Sequence, residues 1–268
     1  MRDFLDSHGA DMGAPADQAD GLRRLFAGVR TRFVAVAANP HVAFAGLALE
    51  RLAAAAAACL DSPQRQVLVV DAVGAAPHEM AMLDLAACVE PLHDLAPNLA
   101  YLAARGLPLR HVDARGSCEG FLDALTQAAP DAAVVIVHAE AAELGRLFAR
   151  RAPRPLLLAA DHPGSVTAAY ANMKLLAQRH GLMAFDLLLV AAATSPRTPR
   201  IAEQIALTAD RFAGAVLHDW AAIDPAAARS ERAVPASVLR LAHGLLGDAP
   251  PAALPPPRAP ATAAWGTP

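Results

Sequence analysis

Short runs of continuously apolar residues alternate with longer, helix-patterned stretches along most of this chain. The clearest run is Val134-Val135-Ile136-Val137. A strand without a polar face has to be covered on both sides, which is the condition of a parallel sheet buried between helices. Similar runs occur at Phe33–Ala37, Val67–Asp71, Leu109–Asp113, Ala133–Val137, Pro155–Ala160, Leu187–Ala193 and Ala215–His218. Helical patterns fill Gly46–Leu60, Val166–His180 and Ile201–Phe212, and a last amphipathic segment spans Val238–Leu246. Gly181 stands where a helix C-cap belongs. The expected fold is α/β: a doubly wound, mostly parallel sheet with helices on both faces. No internal repeat is found.

The 268 residues are 55% apolar and 18% charged, enough to bury a sizeable core. Ala supplies 68 of them and inflates the apolar figure. Residues 1–15 are polar, contain Gly13 and Pro15, and read as a disordered leader. Residues 249–268 hold seven of the prolines, six of them between Pro250 and Pro260, and read as a disordered tail. Between them lie a helix at 16–29 and the α/β domain at 30–248. The net charge of −3 disfavours nucleic acid as a partner. Cys59, Cys88 and Cys118 form no CxxC pair, and three sparse cysteines fit a reducing compartment. The first residues lack the apolar stretch of a secretory signal, and the longest apolar run, Leu52–Leu60, is half of a membrane span. The expected location is the cytoplasm, with at most peripheral membrane association.

The usual chemistry of such folds is missing from the sequence. No two of the 16 glycines are separated by one residue, so the dinucleotide fingerprint is absent. The single lysine, Lys174, lies between Met173 and Leu175, which excludes a regular P-loop. Gly116-Ser117-Cys118-Glu119-Gly120 approaches a nucleophile elbow but misplaces its serine. His78-Glu79-Met80-Ala81-Met82 begins like a zinc-binding helix but lacks the second histidine. No metal site is expected. Asp161-His162 has the composition of an acid–base pair, although a residue just before Pro163-Gly164 more often caps a helix.

One string is more specific. Asp17-Gln18-Ala19-Asp20-Gly21-Leu22-Arg23 resembles the DQAxxLR activator motif of FlhG proteins, MinD/ParA-like regulators of flagellar number and placement with a SIMIBI-type P-loop fold. On composition alone the string is an amphipathic helix with Leu22, Leu25, Phe26 and Val29 on one side. The resemblance continues over roughly residues 16–247. His162-Pro163-Gly164-Ser165-Val166-Thr167-Ala168-Ala169-Tyr170-Ala171-Asn172-Met173-Lys174 is similar to the family's E-P-T-S-I-T-D-A-Y-A-x-x-K segment, and Val67–Ala72 to its VLLLDAD strand, with the second Asp replaced by Val73. Where the family carries GKGGVGKT, this chain reads Asn39-Pro40-His41-Val42-Ala43-Phe44-Ala45-Gly46. The signature lysine falls on Pro40, the phosphate-cradling lysine on Ala45 and the magnesium-binding threonine on Gly46. The later acidic position falls on His138 or an apolar neighbour.

The family binds ATP and magnesium. Pro40 removes an N–H donor, Phe44 adds bulk, and no lysine offsets the triphosphate charge, so the expectation here is a pseudo-ATPase with neither cofactor. The resemblance implies a regulator that stimulates FlhF, a GTPase of the signal-recognition-particle type, with Gln18 entering the GTPase site to help orient the attacking water. Asp17, Ala19, Leu22 and Arg23 would complete the contact, and flagellar basal-body or C-ring proteins are further implied partners. Two alternatives stay open: a residual MinD/ParA-type ATPase, and a structural adaptor in a related system such as cellulose synthesis or partition.

Overall fold

The Val134–Val137 run forms the middle of a strand in which all eight residues are buried. A computed structural model describes residues 31–62, 64–73, 84–92, 96–227 and 233–247. In chain order its elements are β1 (Arg32–Ala37), α1 (Ala45–Ala58), β2 (Gln66–Asp71), β3 (Glu90–Pro91), β4 (Leu99–Ala103), α2 (Glu119–Ala128), β5 (Ala132–Ala139), α3 (Ala141–Leu147), β6 (Leu156–Ala160), α4 (Pro163–His180), β7 (Ala184–Val190), α5 (Arg197–Thr208), β8 (Val216–Ile223) and α6 (Ala236–Gly247). Short 3-10 turns lie at Ala86–Cys88 and Pro108–His111.

The sheet order is β3-β4-β2-β5-β1-β6-β7-β8. Every pairing is parallel except β3 with β4. Successive residues of each inner strand enter opposite cores, as the period of two requires. Ala35, Leu68, Val70, Val135 and Val137 pack under α2 to α5, while Val34, Val36, Val67, Val69, Val134 and Ile136 pack under α1 and α6. The alanine run of α1 gives that helix a narrow buried face, with Ala53, Ala55 and Ala56 beside Leu49 and Leu52.

The expected strand Leu109–Asp113 is not a strand. Pro108 opens a 3-10 turn there, Leu109 faces solvent, and the Asp113 carboxylate accepts the N–H groups of Arg115 and Ser117 to close a loop. Its place in the sheet is taken by Leu99–Ala103, which pairs with β2 along its whole length. The strand expected at Leu187–Ala193 starts earlier and stops at Val190, and the one expected at Ala215–His218 runs on to Ile223. The helix expected at Ile201–Phe212 begins at Arg197 and widens into a π-turn at Ala209–Ala213, which Gly214 ends with φ 60°. Gly181, φ 66°, closes α4.

α6 packs its Val238, Leu241, Ala242 and Leu246 face against the α1 layer. Arg154 Nη2 donates to Gly244 O at 3.0 Å and Arg32 Nη1 donates to Leu246 O at 2.6 Å, so two guanidinium groups satisfy carbonyls of the last helical turn. Among the described residues no helix is long and apolar enough to cross a membrane.

Candidate functional site

Open parallel sheets hold ligands beyond the carboxyl ends of their strands, where neighbouring connections leave in opposite directions. Here the chain leaves β1 toward β2 and leaves β6 toward β7, on opposite sides of β1. The loop after β1 and the start of α4 meet at that crevice. The His41 and His162 rings stack there with centroids 6.2 Å apart.

Asn39 anchors the loop. It is buried, and its Nδ2 donates to Leu158 O at 2.7 Å, to Ser165 O at 2.9 Å and to Ser165 Oγ at 3.1 Å. Ser165 Oγ in turn accepts from Ala160 N at 2.8 Å. Asn172 Nδ2 donates to Ala38 O at 2.8 Å, which ties the loop to α4 a second time. The backbone of the loop is turned inward on itself. Pro40 has no N–H, His41 N donates to Asn39 Oδ1 at 3.0 Å, and Val42 N donates to Asn39 O at 3.1 Å. Three consecutive positions therefore direct no amide toward a ligand. Phosphate-cradling loops work by aiming successive amides at the anion.

Beside the loop, a cavity of about 530 Å³ opens between the first turn of α1 and the carboxyl ends of β2, β4 and β5. Its apolar wall includes Leu49, Val69 and Leu92, and its polar wall is Asp71, Tyr101, Arg105 and His138, with Glu50 on α1. His138 Nδ1 lies 3.1 Å from Asp71 Oδ1, Val73 N donates to the same oxygen at 3.3 Å, and Tyr101 OH donates to Asp71 Oδ2 at 3.4 Å. Burial alone would push the Asp71 carboxyl up. The His138 hydrogen bond and charge, the Val73 amide and the Arg105 guanidinium outweigh it and hold the group below the ordinary carboxylate value. Burial and the negative Asp71 push the Tyr101 hydroxyl up. His138 Nε2 is buried without a hydrogen-bond partner among the described residues. One guanidinium, Arg105, thus stands with two carboxylates, Asp71 and Glu50, a charge balance opposite to that of a triphosphate site. Among the described residues no group of three His, Cys, Asp or Glu side chains is arranged to hold a metal ion.

The residues singled out from sequence divide clearly. Asn39, Pro40 and His41 form the closed loop. Ala45 and Gly46 form the first turn of α1 and line the cavity. A Cβ added to Gly46 would meet nothing within 4 Å. Asp71 and His138 join the cavity, as their strand ends suggest. Tyr101 and Arg105 belong to no motif and are brought there only by β4. Asp161 and His162 form no acid–base pair: Asp161 lies 3.8 Å from exposed Arg197, and His162 Nδ1 accepts from Gly164 N at 3.1 Å as the cap of α4. Ser117 is held in the Asp113 loop and accepts from Glu119 N. Asp17, Gln18, Ala19, Leu22 and Arg23 lie outside the described residues, as do residues 1–15, residues 249–268 and the His78-Glu79 pair.

A scan against protein-family models finds no match for the sequence, and a search of curated proteins finds none either. Solved structures do match. The MinC:MinD cell division protein complex of Aquifex aeolicus superposes with a TM-score of 0.55 at 10% identity, covering 82% of this chain and 98% of that one. A ParA family ATPase from Chlorobium tepidum gives a TM-score of 0.47 at 16% identity, covering 79% of this chain and 91% of that one. The fold is therefore MinD-like: a mostly parallel eight-stranded sheet flanked by helices.

Proposed function

We propose that this chain is a non-catalytic, FlhG-like regulator of flagellar biosynthesis that binds no ATP and acts by stimulating an FlhF-like GTPase through Asp17-Gln18-Ala19-x-x-Leu22-Arg23. The observation that carries the first half is the closed loop at Asn39–Val42, where three successive positions offer no amide outward. The absent lysines and the acidic wall of the adjacent cavity support it. The partner half rests on the activator string, whose glutamine suits a site where phosphoryl transfer depends on positioning water.

The test has two arms. Calorimetry with MgATP should give no saturable heat, and micromolar binding would overturn the pseudo-ATPase reading. GTP turnover by the cognate FlhF should rise several-fold on adding this protein and return to the basal rate with Gln18→Ala. A wild-type protein that leaves FlhF unchanged would remove the partner reading and bring forward the adaptor role.

A further inference from the structure

At the opposite end of the sheet, where the chain enters β6 and β7, a cleft of about 370 Å³ is lined by Arg150, Arg151, Arg179, His180 and the backbone turn at Gly181. Its chemistry is the reverse of the carboxyl-end cavity. Three guanidinium groups and an imidazole border a space of small-ligand size, and none of the lining residues is acidic.

The arginines are held in place from behind. Glu119 is mostly buried, and its two carboxylate oxygens each take one guanidinium: Arg150 Nε at 3.4 Å from Oε2 and Arg151 Nε at 3.4 Å from Oε1. Arg151 also lies over the Phe33 ring, 4.9 Å from its centroid, and reaches Asp123 with Nη2 at 3.3 Å. Glu119 thus aligns two positive side chains, and with Asp123 it offsets their two charges, which leaves Arg179 as the uncompensated cation of the cleft. Among the described residues Arg179 makes no ion pair or side-chain hydrogen bond. The imidazole of His180 rests on bare backbone: a Cβ on Gly145 would collide with the ring. Burial and the charge of Arg179 push His180 below its ordinary value, so near neutral pH it is an uncharged ring beside surplus positive charge.

We infer that this cleft is a recognition site for a phosphate dianion carried on a larger molecule. A dianion offers several oxygens to planar, forked donors, the pairing in which arginine surpasses lysine. Its two charges match Arg179 together with a protonated His180. The bound anion favours the imidazolium, so His180 gains a proton as the ligand arrives. The phosphate comes either from a soluble phosphomonoester or from the phosphomonoester headgroup of phosphatidic acid, and the two sources are separable.

The experiment follows the His180 ring resonance of the full-length chain by NMR, assigned by its loss in His180→Gln, while inorganic phosphate is added at constant ionic strength. Saturable shifts with a raised His180 pKa are expected, with at least a tenfold weaker response in Arg150→Ala/Arg179→Ala, whose two side chains are exposed. Gly145→Ala should weaken the response as well, because it displaces the imidazole. Co-sedimentation with phosphatidic acid vesicles, but not with phosphatidylcholine vesicles, that is lost in the double variant identifies a headgroup. Phosphate binding without vesicle binding identifies a soluble ligand. Equal shifts with chloride, or a double variant that responds like the wild type in both assays, would overturn the inference.

Discussion

The two ends of one sheet are stabilised by different chemistry. At the carboxyl end, a neutral amide network centred on Asn39 and Ser165 locks the loop after β1, and the neighbouring cavity is acidic apart from Arg105. At the amino end, arginines do the fastening. Arg154 pairs with the fully buried Asp186 at 2.6 Å, Arg32 and Arg154 cap α6, Arg240 is paired with Asp219, and Arg150 and Arg151 share Glu119. The contrast teaches that this frame places no constraint of its own on which end carries positive charge. Side chains at the strand ends decide it, and here they leave the customary ligand end with little cationic character.

The largest expected effect tests the charged end. Burial pushes the Asp186 carboxyl up, and the Arg154 hydrogen bond and charge oppose that shift. Asp186→Ala removes the partner of a guanidinium that is itself mostly buried. Breaking such a pair costs roughly 3–5 kcal/mol. Urea denaturation at neutral pH should show a loss of this size, and a loss below 1 kcal/mol would mean that the amino end does not depend on its ions. The neutral end should respond less. Asn39→Ala leaves the buried Leu158 and Ser165 acceptors short of a donor, at a cost of about 2 kcal/mol. The denaturation midpoint should fall with its slope unchanged.

The sequence made much of this frame legible, unevenly. Strands buried on both faces are readable because they are continuously apolar, and Val134–Val137 lies within β5 as expected. Leu99–Ala103 is wholly apolar and aromatic, whereas Leu109–Asp113 of the same length carries Arg110, His111 and Asp113, so composition favours the former. Its place beside β2 is set by pairing, and that is a long-range fact. At the candidate site, the missing lysines and Pro40 were visible, since they are departures at defined positions. The roles of Asn39 and Ser165 were not, because 126 residues separate them and hydrogen bonding alone joins them. Tyr101 and Arg105 were hidden for the same reason as β4. The arginine cleft has no motif at all, only Arg150-Arg151 and Arg179-His180 brought together by α3 and α4.

A smaller effect sharpens the comparison through pH. Glu143, in the first turn of α3 at the carboxyl end, is pushed up to about 7 by burial and by neighbouring Glu140, with Arg146 opposing. The native chain then holds a proton that the unfolded chain has released, so stability falls as pH rises from about 4.5 to about 7. Glu143→Gln removes that penalty. Since the side chain is only half-buried, solvent screening limits the gain to about 1 kcal/mol above pH 7, vanishing below pH 4.5. Asp71, at the same end, has the opposite sign: held low, it stabilises the fold above the ordinary value of 3.8 and loses that contribution as pH falls through its lower folded value. Thermal unfolding across pH 3 to 8 for wild type and Glu143→Gln resolves the two slopes.

The smallest expected effect is none, and it bears most directly on whether missing charge or loop geometry sets the carboxyl end apart from a nucleotide site. Ala45→Lys with Gly46→Thr restores the phosphate-cradling lysine and the hydroxyl at the positions where the FlhG-like pattern carries them. Space is available at Gly46, where a Cβ meets no atom within 4 Å, so that substitution does not strain the fold. If missing charge alone separates this loop from a nucleotide site, the double variant should bind MgATP. The loop geometry argues otherwise. His41 N and Val42 N remain committed to Asn39, and Pro40 still has no N–H, so the added lysine faces a loop whose amides point inward. Calorimetry of the variant with MgATP should therefore stay flat. A saturable heat in the micromolar range would show that the Asn39 network yields to a ligand once charge is supplied, and would make the two ends of the sheet differ in side chains alone.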